Sequence, residues 1–336
     1  MPNSFSKSVN HLWRLFGRNP MAERVDMSGR HVIVTGASRN SLGYETARIL
    51  ASWGASVVVT STRNVASMAD SLKEDLRRIG AGETQVSAHS LDLCDVDSVS
   101  AFARWYGQNH GDRLHVLINN AGIHKNILSP RKKPSPSKDG FEIHWRTNYL
   151  GGFHLTCLLL PLLKRSGLEC GDARVINVSS HLHDRVKNGG LFSTADRYHS
   201  WDAYGLSKLA LIHFSFEIQR RYADQYNLQS VALHPGSVDT NLTRMAVPGR
   251  RTGGVFHRIG CVLASLVLLP LEQGAQTTVM CASKHSLKGG RYYCPCGIAE
   301  PSDESRDEAT SKLLWDRSDA WVKTLVKPGG NGDEQI

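Results

Sequence analysis

The sequence predicts an α/β fold in which a doubly wound parallel sheet carries helices on both of its faces. Short β-rich runs alternate with amphipathic helical patterns from residue 31 onward, and this alternation builds parallel β-α-β units. Glycines flank the turn after the first run, where a sheet of this kind approaches a phosphate. At 336 residues, of which 40% are hydrophobic and 21% charged, the chain accommodates one such domain with extensions.

The first part of the chain divides into four strands and the helices between them. Runs rich in β-branched residues predict strands at 31–35, 56–60, 84–91 and 115–119. Helical periodicity fills the intervals, at 44–53, 65–79 and 95–108. We assign residues 28–325 to a single domain, preceded by an N-terminal extension at 1–27 and followed by a polar tail at 326–336.

The cysteines and the N-terminal extension bear on localisation. Seven cysteines are scattered and odd in number, which argues against a disulfide framework and for a reducing compartment. We therefore expect an intracellular protein, cytoplasmic or peripheral on a membrane, because no apolar run reaches the length of a span. Residues 1–22 contain no acid, and their ragged apolar face fits an interfacial helix, a mitochondrial presequence or a helix packed on the domain.

Part of the net charge of +9 is concentrated in one loop at 124–138. Its basic residues are Lys125, Arg131, Lys132, Lys133 and Lys138. The loop lacks the interleaved aromatic residues of a single-strand binding groove, so we expect no nucleic-acid partner. A solvated insertion and a contact for an anionic substrate or lipid headgroup both remain open.

The turn TGASRNSLG follows the first strand and opens the first helix. Gly36 and Gly43 leave the backbone free for a pyrophosphate at the positive end of the helix. Asn40 and Ser41 stand where a middle glycine is usual, and the turn is one residue longer. Small polar residues still donate to phosphate, so the sequence predicts an altered phosphate cradle.

The end of the second strand indicates which nicotinamide cofactor is bound. A carboxylate there would hold the ribose hydroxyl of NAD, whereas a basic residue accommodates the phosphate of NADP. This chain has Arg63 and no acid in STRN at 61–64, and Arg39 in the glycine turn adds a second guanidinium. We predict NADP(H) rather than NAD(H); the alternative is that both arginines are solvated surface charges.

The stretch WDAYGLSKLA (201–210) places a phenol and an amine four residues apart at a helix start. Asp202 suits the first turn, so Tyr204 and Lys208 should share one helical face. For a tyrosine to work near neutral pH its phenolate must be stabilised by about 4 kcal/mol, which a neighbouring ammonium can supply. The alternative is a surface Tyr and Lys that meet by chance.

Motifs along the chain together resemble the short-chain dehydrogenase/reductase family. They are TGASRNSLG, the run Leu91-Asp92-Leu93, NNAG at 119–122, Asn148, NVSS at 177–180, YGLSK at 204–208 and HPGSVDT at 234–240. The stretches 139–156, 272–279 and 312–322 further resemble the retinol dehydrogenase-like branch. The resemblance implies a Rossmann-like fold and an NADP-dependent oxidoreductase of lipid metabolism that acts on the CH–OH group.

The resemblance also implies roles for individual residues. Tyr204 would be the general acid/base, and Lys208 would lower its pKa and hold the nicotinamide ribose. Ser180 would hydrogen-bond the reacting oxygen, and Asn148 would hold a water that links Lys208 to solvent. The other implied cofactor contacts fall into four groups. The glycine turn and the end of the second strand supply Gly36, Ser38, Arg39, Ser41, Leu42, Gly43 and Arg63, and Asp92 and Leu93 would lie at the adenine. Asn120, Ala121 and Gly122 would line the cleft, and Pro235, Gly236, Val238 and Thr240 would lie at the nicotinamide end.

Residues 241–270 form a long apolar excursion, which we expect to be a substrate loop. A mobile apolar lid favours a bulky hydrophobic alcohol or carbonyl, of the retinoid, steroid, fatty or isoprenoid type. Contact with a membrane and ordinary packing are the alternatives for this segment. The sequence leaves homo-oligomerisation open.

Other readings of the chain are less well supported. His181, His183 and His199 suggest a metal, but a complete Ser/Tyr/Lys set needs none, so we expect no metal site. Cys294 and Cys296 have neither redox nor zinc-site spacing. Reduction of an activated double bond fits the proton donors less well than reduction of a carbonyl does. A cofactor-binding scaffold or regulator without turnover remains the alternative function.

Overall fold

The computed structural model describes residues 20–193, 197–238 and 269–325. The strands are β1 His31–Val34, β2 Ser56–Ser61, β3 Val86–Ser90, β4 Val116–Asn119, β5 Ala173–Val178, β6 Leu228–Leu233, β7 Tyr292–Tyr293 and β8 Ile298–Ala299. The helices are α1 Leu42–Ser52, α2 Val65–Arg78, α3 Val96–His110, α4 Gly151–Cys170, α5 Ser200–Tyr226, α6 Leu271–Ser283 and α7 Glu308–Leu325. Most of the 1–27 extension, nearly all of the 241–270 loop and the 326–336 tail lie outside the described residues.

The strands form one sheet in the order β3-β2-β1-β4-β5-β6-β7-β8. All neighbours are parallel except β7 and β8, which pair antiparallel at one edge. The predicted strands and helices of the first part of the chain are observed within about two residues of their expected bounds. The order reverses between β1 and β4, and a doubly wound sheet binds its ligands in the crevice at that reversal. The doubly wound α/β prediction is confirmed.

The core has two parts, one on each face of the sheet. Val32 and Val34 of β1 point to a cluster built with α1, α2 and α6. Ile33 points to the opposite cluster, built with α3, α4, α5 and α7. This alternation follows from the period of two in a strand, and it explains why β1 is apolar at successive positions.

The termini of α1 and α3 follow from local side chains. Ser41 accepts the amide of Tyr44 at the start of α1, and Asp95 accepts two amides at the start of α3. Within the described residues no helix is both long and apolar enough to cross a bilayer. Residues at the end of the 1–27 extension pack on the domain, since Met27 is buried and its amide donates to the Trp53 carbonyl at 2.8 Å.

The basic loop is anchored at the start of α5. The amide of Ser200 donates to the carbonyl of Pro130 at 2.7 Å, and the indole of Trp201 donates to the carbonyl of Ile127 at 3.2 Å. Arg131, Lys132 and Lys133 are exposed, as a solvated insertion requires. The loop therefore presents its positive charge beside the helix that carries Tyr204.

Thr35 joins the ends of β1 and β4. Its hydroxyl donates to the carbonyl of Ile118 at 3.2 Å and accepts the amides of Asn120 and Ala121, both at 3.0 Å. The side chain is fully buried. One hydroxyl therefore fixes the distance between the glycine turn and the NNAG segment.

We expect Thr35→Val to lower the free energy of unfolding by about 2 kcal/mol or more, because two amides lose their acceptor while they stay enclosed. Chemical denaturation measures the loss. Thr46→Val is the control: its hydroxyl donates to the Leu42 carbonyl inside α1, so its removal leaves no amide unpaired. Equal stability of the two variants would contradict this role of Thr35.

Candidate active site

Apart from Asn148, the predicted site residues that the structure describes lie after the carboxyl ends of the strands or on α5. The glycine turn follows β1, Arg63 follows β2, and Asp92 and Leu93 follow β3. The segment 120–122 follows β4, Ser180 follows β5, and 235–238 follows β6. Parallel strands end at one edge of their sheet, so one crevice receives all of these segments. Thr240 lies outside the described residues.

Gly36 and Gly43 allow the turn to pack directly on the NNAG segment. A Cβ at Gly36 would lie 2.7 Å from the Cα of Ala121, and the backbone there has a φ of +67°. A Cβ at Gly43 would lie 2.4 Å from Nδ2 of Asn120. Both glycines are therefore required for close approach within the protein, as well as for the approach of a ligand.

Asn40 takes over the conformation of the missing middle glycine. Its φ is +60°, in the left-handed region that asparagine tolerates better than most residues with a side chain. Ser41 then caps α1 by accepting the amide of Tyr44 at 3.2 Å. The altered turn thus still delivers a helix N-terminus to the crevice, with first-turn amides available to an anion.

The glycine turn is tied to the end of β2. The hydroxyls of Ser38 and Ser61 are 2.9 Å apart, and Ser61 also accepts the amide of Arg63 at 3.2 Å. Arg63 itself is exposed. The structure thus brings the two halves of the predicted phosphate site together.

Arg39 reaches from the turn to α2. It donates to the hydroxyl of Ser71 at 3.4 Å, and its guanidinium lies 3.9 Å from the carboxylate of Asp75. Asp75 also accepts the phenol of Tyr44 at 2.6 Å. Arg39, Tyr44 and Asp75 border a cavity of about 330 Å³ beside the turn. Sequence reasoning did not anticipate the carboxylate, because α2 is distant from the motif along the chain.

The segments after β3 and β6 complete the rim of the crevice. Asp92 turns the chain by accepting the amide of Cys94 at 2.9 Å, and Leu93 is buried. Gly236 has a φ of +87°, and a Cβ there would lie 2.7 Å from Leu269. Val238 pairs with Leu269 in a short parallel bridge, so both ends of the long apolar excursion meet beside the crevice.

Tyr204 and Lys208 share one face of α5, as their spacing predicts. The ammonium lies 5.5 Å from the centre of the phenol ring and donates to the carbonyl of Val178 at 2.8 Å. Ser180 hydrogen-bonds the phenol of Tyr204. Ser179, next to it, donates to the carbonyl of Lys208 at 2.8 Å. These bonds attach α5 to the end of β5, so the three side chains keep a fixed relation.

Burial sets the proton affinities of the pair. It raises the pKa of Tyr204 to about 12, against a smaller lowering by the hydrogen bond from Ser180. It also lowers the pKa of Lys208 to about 8. Burial is thus the larger of the two influences on the phenol, because a phenolate removed from water is destabilised. The phenol is therefore a proton donor at neutral pH. A lowering of the Tyr204 pKa by Lys208 remains a prediction.

Asn148 lies in a π-helical turn, Trp145–Leu150, that leads into α4. Its amide oxygen accepts the backbone N–H of Ile123 at 2.8 Å, and its nitrogen donates to the Ile123 carbonyl and the Ser207 hydroxyl, both at 3.0 Å. A Cβ at the exposed Gly122 would lie 3.3 Å from Nζ of Lys208 and 3.5 Å from Oδ1 of Asn148. Asn148 thus joins the strand-four segment to α5.

His124 is the neighbour of Tyr204 that sequence reasoning missed. Its ring stacks on the phenol ring, with centroids 4.4 Å apart and an angle of 13° between the planes. Its position two residues after NNAG was an available signal, but the stacking partner is 80 residues away along the chain. Within the described ranges, no cluster of His, Cys, Asp and Glu suitable for a metal ion is found.

The crevice has the donor set that a dinucleotide requires. A helix N-terminus and serine hydroxyls lie at the glycine turn, and the exposed guanidinium groups of Arg39 and Arg63 follow β1 and β2. Gly122 places no side chain beside Lys208 and Asn148. The residues present therefore fit a nicotinamide dinucleotide.

Comparison with known proteins identifies the family. The family described as short chain dehydrogenase matches residues 30–250. Retinol dehydrogenase 12 from Mus musculus is 34% identical over 315 residues, which cover 91% of this chain and 90% of that protein. Polyprenol dehydrogenase from Mus musculus is 37% identical over 297 residues, covering 85% and 82%.

A solved structure supports the fold alone. L-Sorbose reductase from Gluconobacter frateurii, in complex with NADPH and L-sorbose, superposes with a TM-score of 0.63 at 20% identity, covering 83% of this chain and 99% of that one. The match of the family over residues 30–250 and the two relatives above 30% identity are sufficient to assign the family. The chain belongs to the short-chain dehydrogenase/reductase family of oxidoreductases, in its retinol dehydrogenase-like branch.

Proposed function

We propose that this protein is an NADP(H)-dependent oxidoreductase that interconverts a bulky hydrophobic alcohol and its aldehyde or ketone, with Tyr204 as the general acid/base. One observation carries the proposal. A buried phenol, hydrogen-bonded by Ser180 and one helical turn from Lys208, lies at the crevice where the strand order reverses. A family of enzymes that act on CH–OH donors uses such a crevice for its cofactor.

The proposed chemistry follows from the protonation states. A nicotinamide bound in the crevice would supply or accept the hydride. When a carbonyl is reduced, negative charge develops on its oxygen, and Tyr204 donates the proton that neutralises it. Ser180 is a second donor to the same oxygen, so both hydroxyls stabilise the charge as it forms. In the oxidation direction Tyr204 must first lose its own proton, and the resulting phenolate then removes the proton from the alcohol.

Lys208 and Asn148 would support this proton transfer. Lys208 lies beside the phenol ring, so its positive charge stabilises the phenolate that remains after donation. Gly122 has no side chain to stand between the ammonium and the ribose of a cofactor, since a Cβ there would lie 3.3 Å from Nζ of Lys208. Asn148 holds the Ile123 backbone and the Ser207 hydroxyl of α5 in place, one residue before Lys208.

The preference for NADP(H) rests on charge at the end of β2. Arg63 is exposed there, Arg39 extends from the glycine turn, and residues 61–64 contain no carboxylate. A guanidinium binds a phosphate through paired, charge-assisted hydrogen bonds, whereas a neutral ribose hydroxyl forms no such ion pair with it. The nearest carboxylate contact described for Arg39 is Asp75, on α2.

The apolar excursion and the relatives both favour a hydrophobic substrate. Residues 241–270 are rich in aliphatic side chains, and the described ends of this segment meet beside the crevice at Val238 and Leu269. Relatives that cover most of the chain are named as dehydrogenases of retinol and of polyprenol, which are hydrophobic alcohols. A lid of aliphatic side chains favours a substrate of that kind.

We expect Tyr204→Phe to lower kcat for carbonyl reduction at least a hundredfold, because the variant lacks the proton donor. NADPH affinity should stay within about threefold, since the ring and its packing are retained. Steady-state kinetics with a broad panel of hydrophobic aldehydes and ketones, paired with fluorescence titration of NADPH, measures both quantities.

Tyr198→Phe is the matched control, because its phenol lies near the site but donates to Glu142 at 3.2 Å and not to Ser180. It should keep most of the wild-type rate. Wild-type kcat in the Tyr204→Phe variant would refute the assignment. NADPH binding without turnover on any carbonyl of the panel would favour the scaffold function instead.

Arg63→Glu should shift the affinity ratio from NADPH toward NADH by at least tenfold, since a carboxylate repels the phosphate and accepts the ribose hydroxyl. Fluorescence titration with each nucleotide gives the ratio. Arg104→Glu on α3 makes the same change of charge at an exposed position and should leave the ratio unchanged. An unaltered ratio in Arg63→Glu would place the phosphate elsewhere.

A further inference from the structure

His124 is held in place on both sides along the chain. The preceding residue, Ile123, is bonded through its N–H and its carbonyl to the side chain of Asn148, at 2.8 and 3.0 Å. The amide of the following residue, Lys125, donates to Nε2 of His144 at 2.8 Å. The position of the imidazole therefore follows from a fixed backbone at the end of the strand-four segment.

Three aromatic rings surround this imidazole. It stacks on Tyr204 at 4.4 Å between centroids, and Trp201 meets it edge-on at 4.7 Å. His144 meets it edge-on at 5.6 Å. The side chain is only 6% exposed, so the ring belongs to the wall of the site in which the phenol works.

The hydrogen bonding of His124 is incomplete, unlike that of three other buried histidines. His144, His183 and His213 each pair both ring nitrogens with protein groups. In His124, Nε2 is buried and has no hydrogen-bond partner among the residues that the structure describes. A buried nitrogen without a partner costs about 1 to 3 kcal/mol, so a group from outside this set is expected to occupy it.

The imidazole is neutral at physiological pH. Burial lowers the pKa of His124 to about 4, with smaller contributions in the same direction from His144 and Lys208. A neutral imidazole has one N–H donor and one acceptor nitrogen. It can therefore pair with a neutral hydroxyl or carbonyl, and an anionic ligand gains no ion pair from it.

We propose that His124 is a substrate-binding residue. Its Nε2 hydrogen-bonds a second oxygen of the substrate, close to the carbon whose oxygen exchanges a proton with Tyr204. This inference rests on the proposed function of Tyr204, because the contact of the two rings places the second oxygen near the reacting one. The preferred substrates are then bulky hydrophobic alcohols or carbonyls that carry a neighbouring hydroxyl or carbonyl group. Such a site discriminates strongly, since a substrate that lacks the second oxygen leaves the nitrogen unpaired.

Benzoin and deoxybenzoin provide the test, because they are hydrophobic ketones that differ only in the hydroxyl beside the carbonyl. The wild type should reduce benzoin with the higher kcat/KM. His124→Phe keeps the stacked ring and removes both nitrogens, and it should lower the benzoin-to-deoxybenzoin ratio about tenfold, with deoxybenzoin changed less than about twofold. His124→Gln retains a hydrogen-bonding group and should preserve part of the ratio.

His154→Phe is the matched control. His154, in α4, is also buried and leaves Nδ1 without a partner within the described residues. Its ring faces that of Trp321 in α7, with centroids 6.0 Å apart, and not that of Tyr204. This variant should leave the ratio unaltered. Equal losses for both ketones in His124→Phe would show that the ring only supports Tyr204, and an unchanged ratio would show that Nε2 does not contact the substrate; either result overturns the proposal.

A binding measurement separates this proposal from the proposed function. Calorimetric titration of both ketones into the Tyr204→Phe protein saturated with NADPH requires no proton transfer from residue 204. Weaker benzoin binding in the double variant Tyr204→Phe/His124→Phe, with deoxybenzoin unaffected, supports the contact even if the wild type reduces neither ketone. Equal affinities for benzoin in the two proteins overturn it, whatever the turnover.

Discussion

The burial of Tyr204 and Lys208 at the start of α5 is the constraint on which the site depends. Burial of the phenol away from water raises its pKa and keeps it protonated at neutral pH. Burial of the Lys208 ammonium away from water lowers the pKa of that group. Hydrogen bonds from Ser179 and to Val178 attach this part of α5 to the end of β5. The pair is thus a proton donor and a nearby cation whose relative positions are set by the fold.

The reversal of strand order supplies the space in front of that pair. β1 and β4 lie side by side, and the hydroxyl of Thr35 holds the segments that follow them together. Gly36 and Gly43 then allow the turn to lie directly on Asn120 and Ala121. The same small residues that bring the two segments into contact also leave the crevice open for a dinucleotide.

Much of this arrangement could be predicted from the sequence, because the determining signals are local. Alternating patterns fixed the strands and helices of the first part of the chain, and the spacing of Tyr204 and Lys208 placed both on one helical face. Asn40 could be recognised as a departure from the glycine pattern, but its positive φ emerged only from the structure. Motif order along the chain correctly indicated the family.

What could not be predicted depends on groups that are distant along the chain. The attraction of Arg39 to Asp75 requires α2 to lie beside the glycine turn. The stacking of His124 on Tyr204 requires the segment after β4 to meet α5, and the lack of a partner for its Nε2 among the described residues depends on the same packing. The effect of burial on the Tyr204 pKa could not be predicted either, since the spacing of two residues on a helix does not reveal how completely they are buried.

The measurement that tests the central claim most directly is the ionisation of Tyr204 in the protein without ligands. Ultraviolet difference titration of the wild type against Tyr204→Phe isolates the tyrosinate signal of this one residue. The account predicts no ionisation of Tyr204 up to about pH 10, because burial raises its pKa to about 12. A Tyr204-dependent tyrosinate signal with a midpoint near neutral pH would contradict the account, because the chain would then hold a phenolate and not a proton donor.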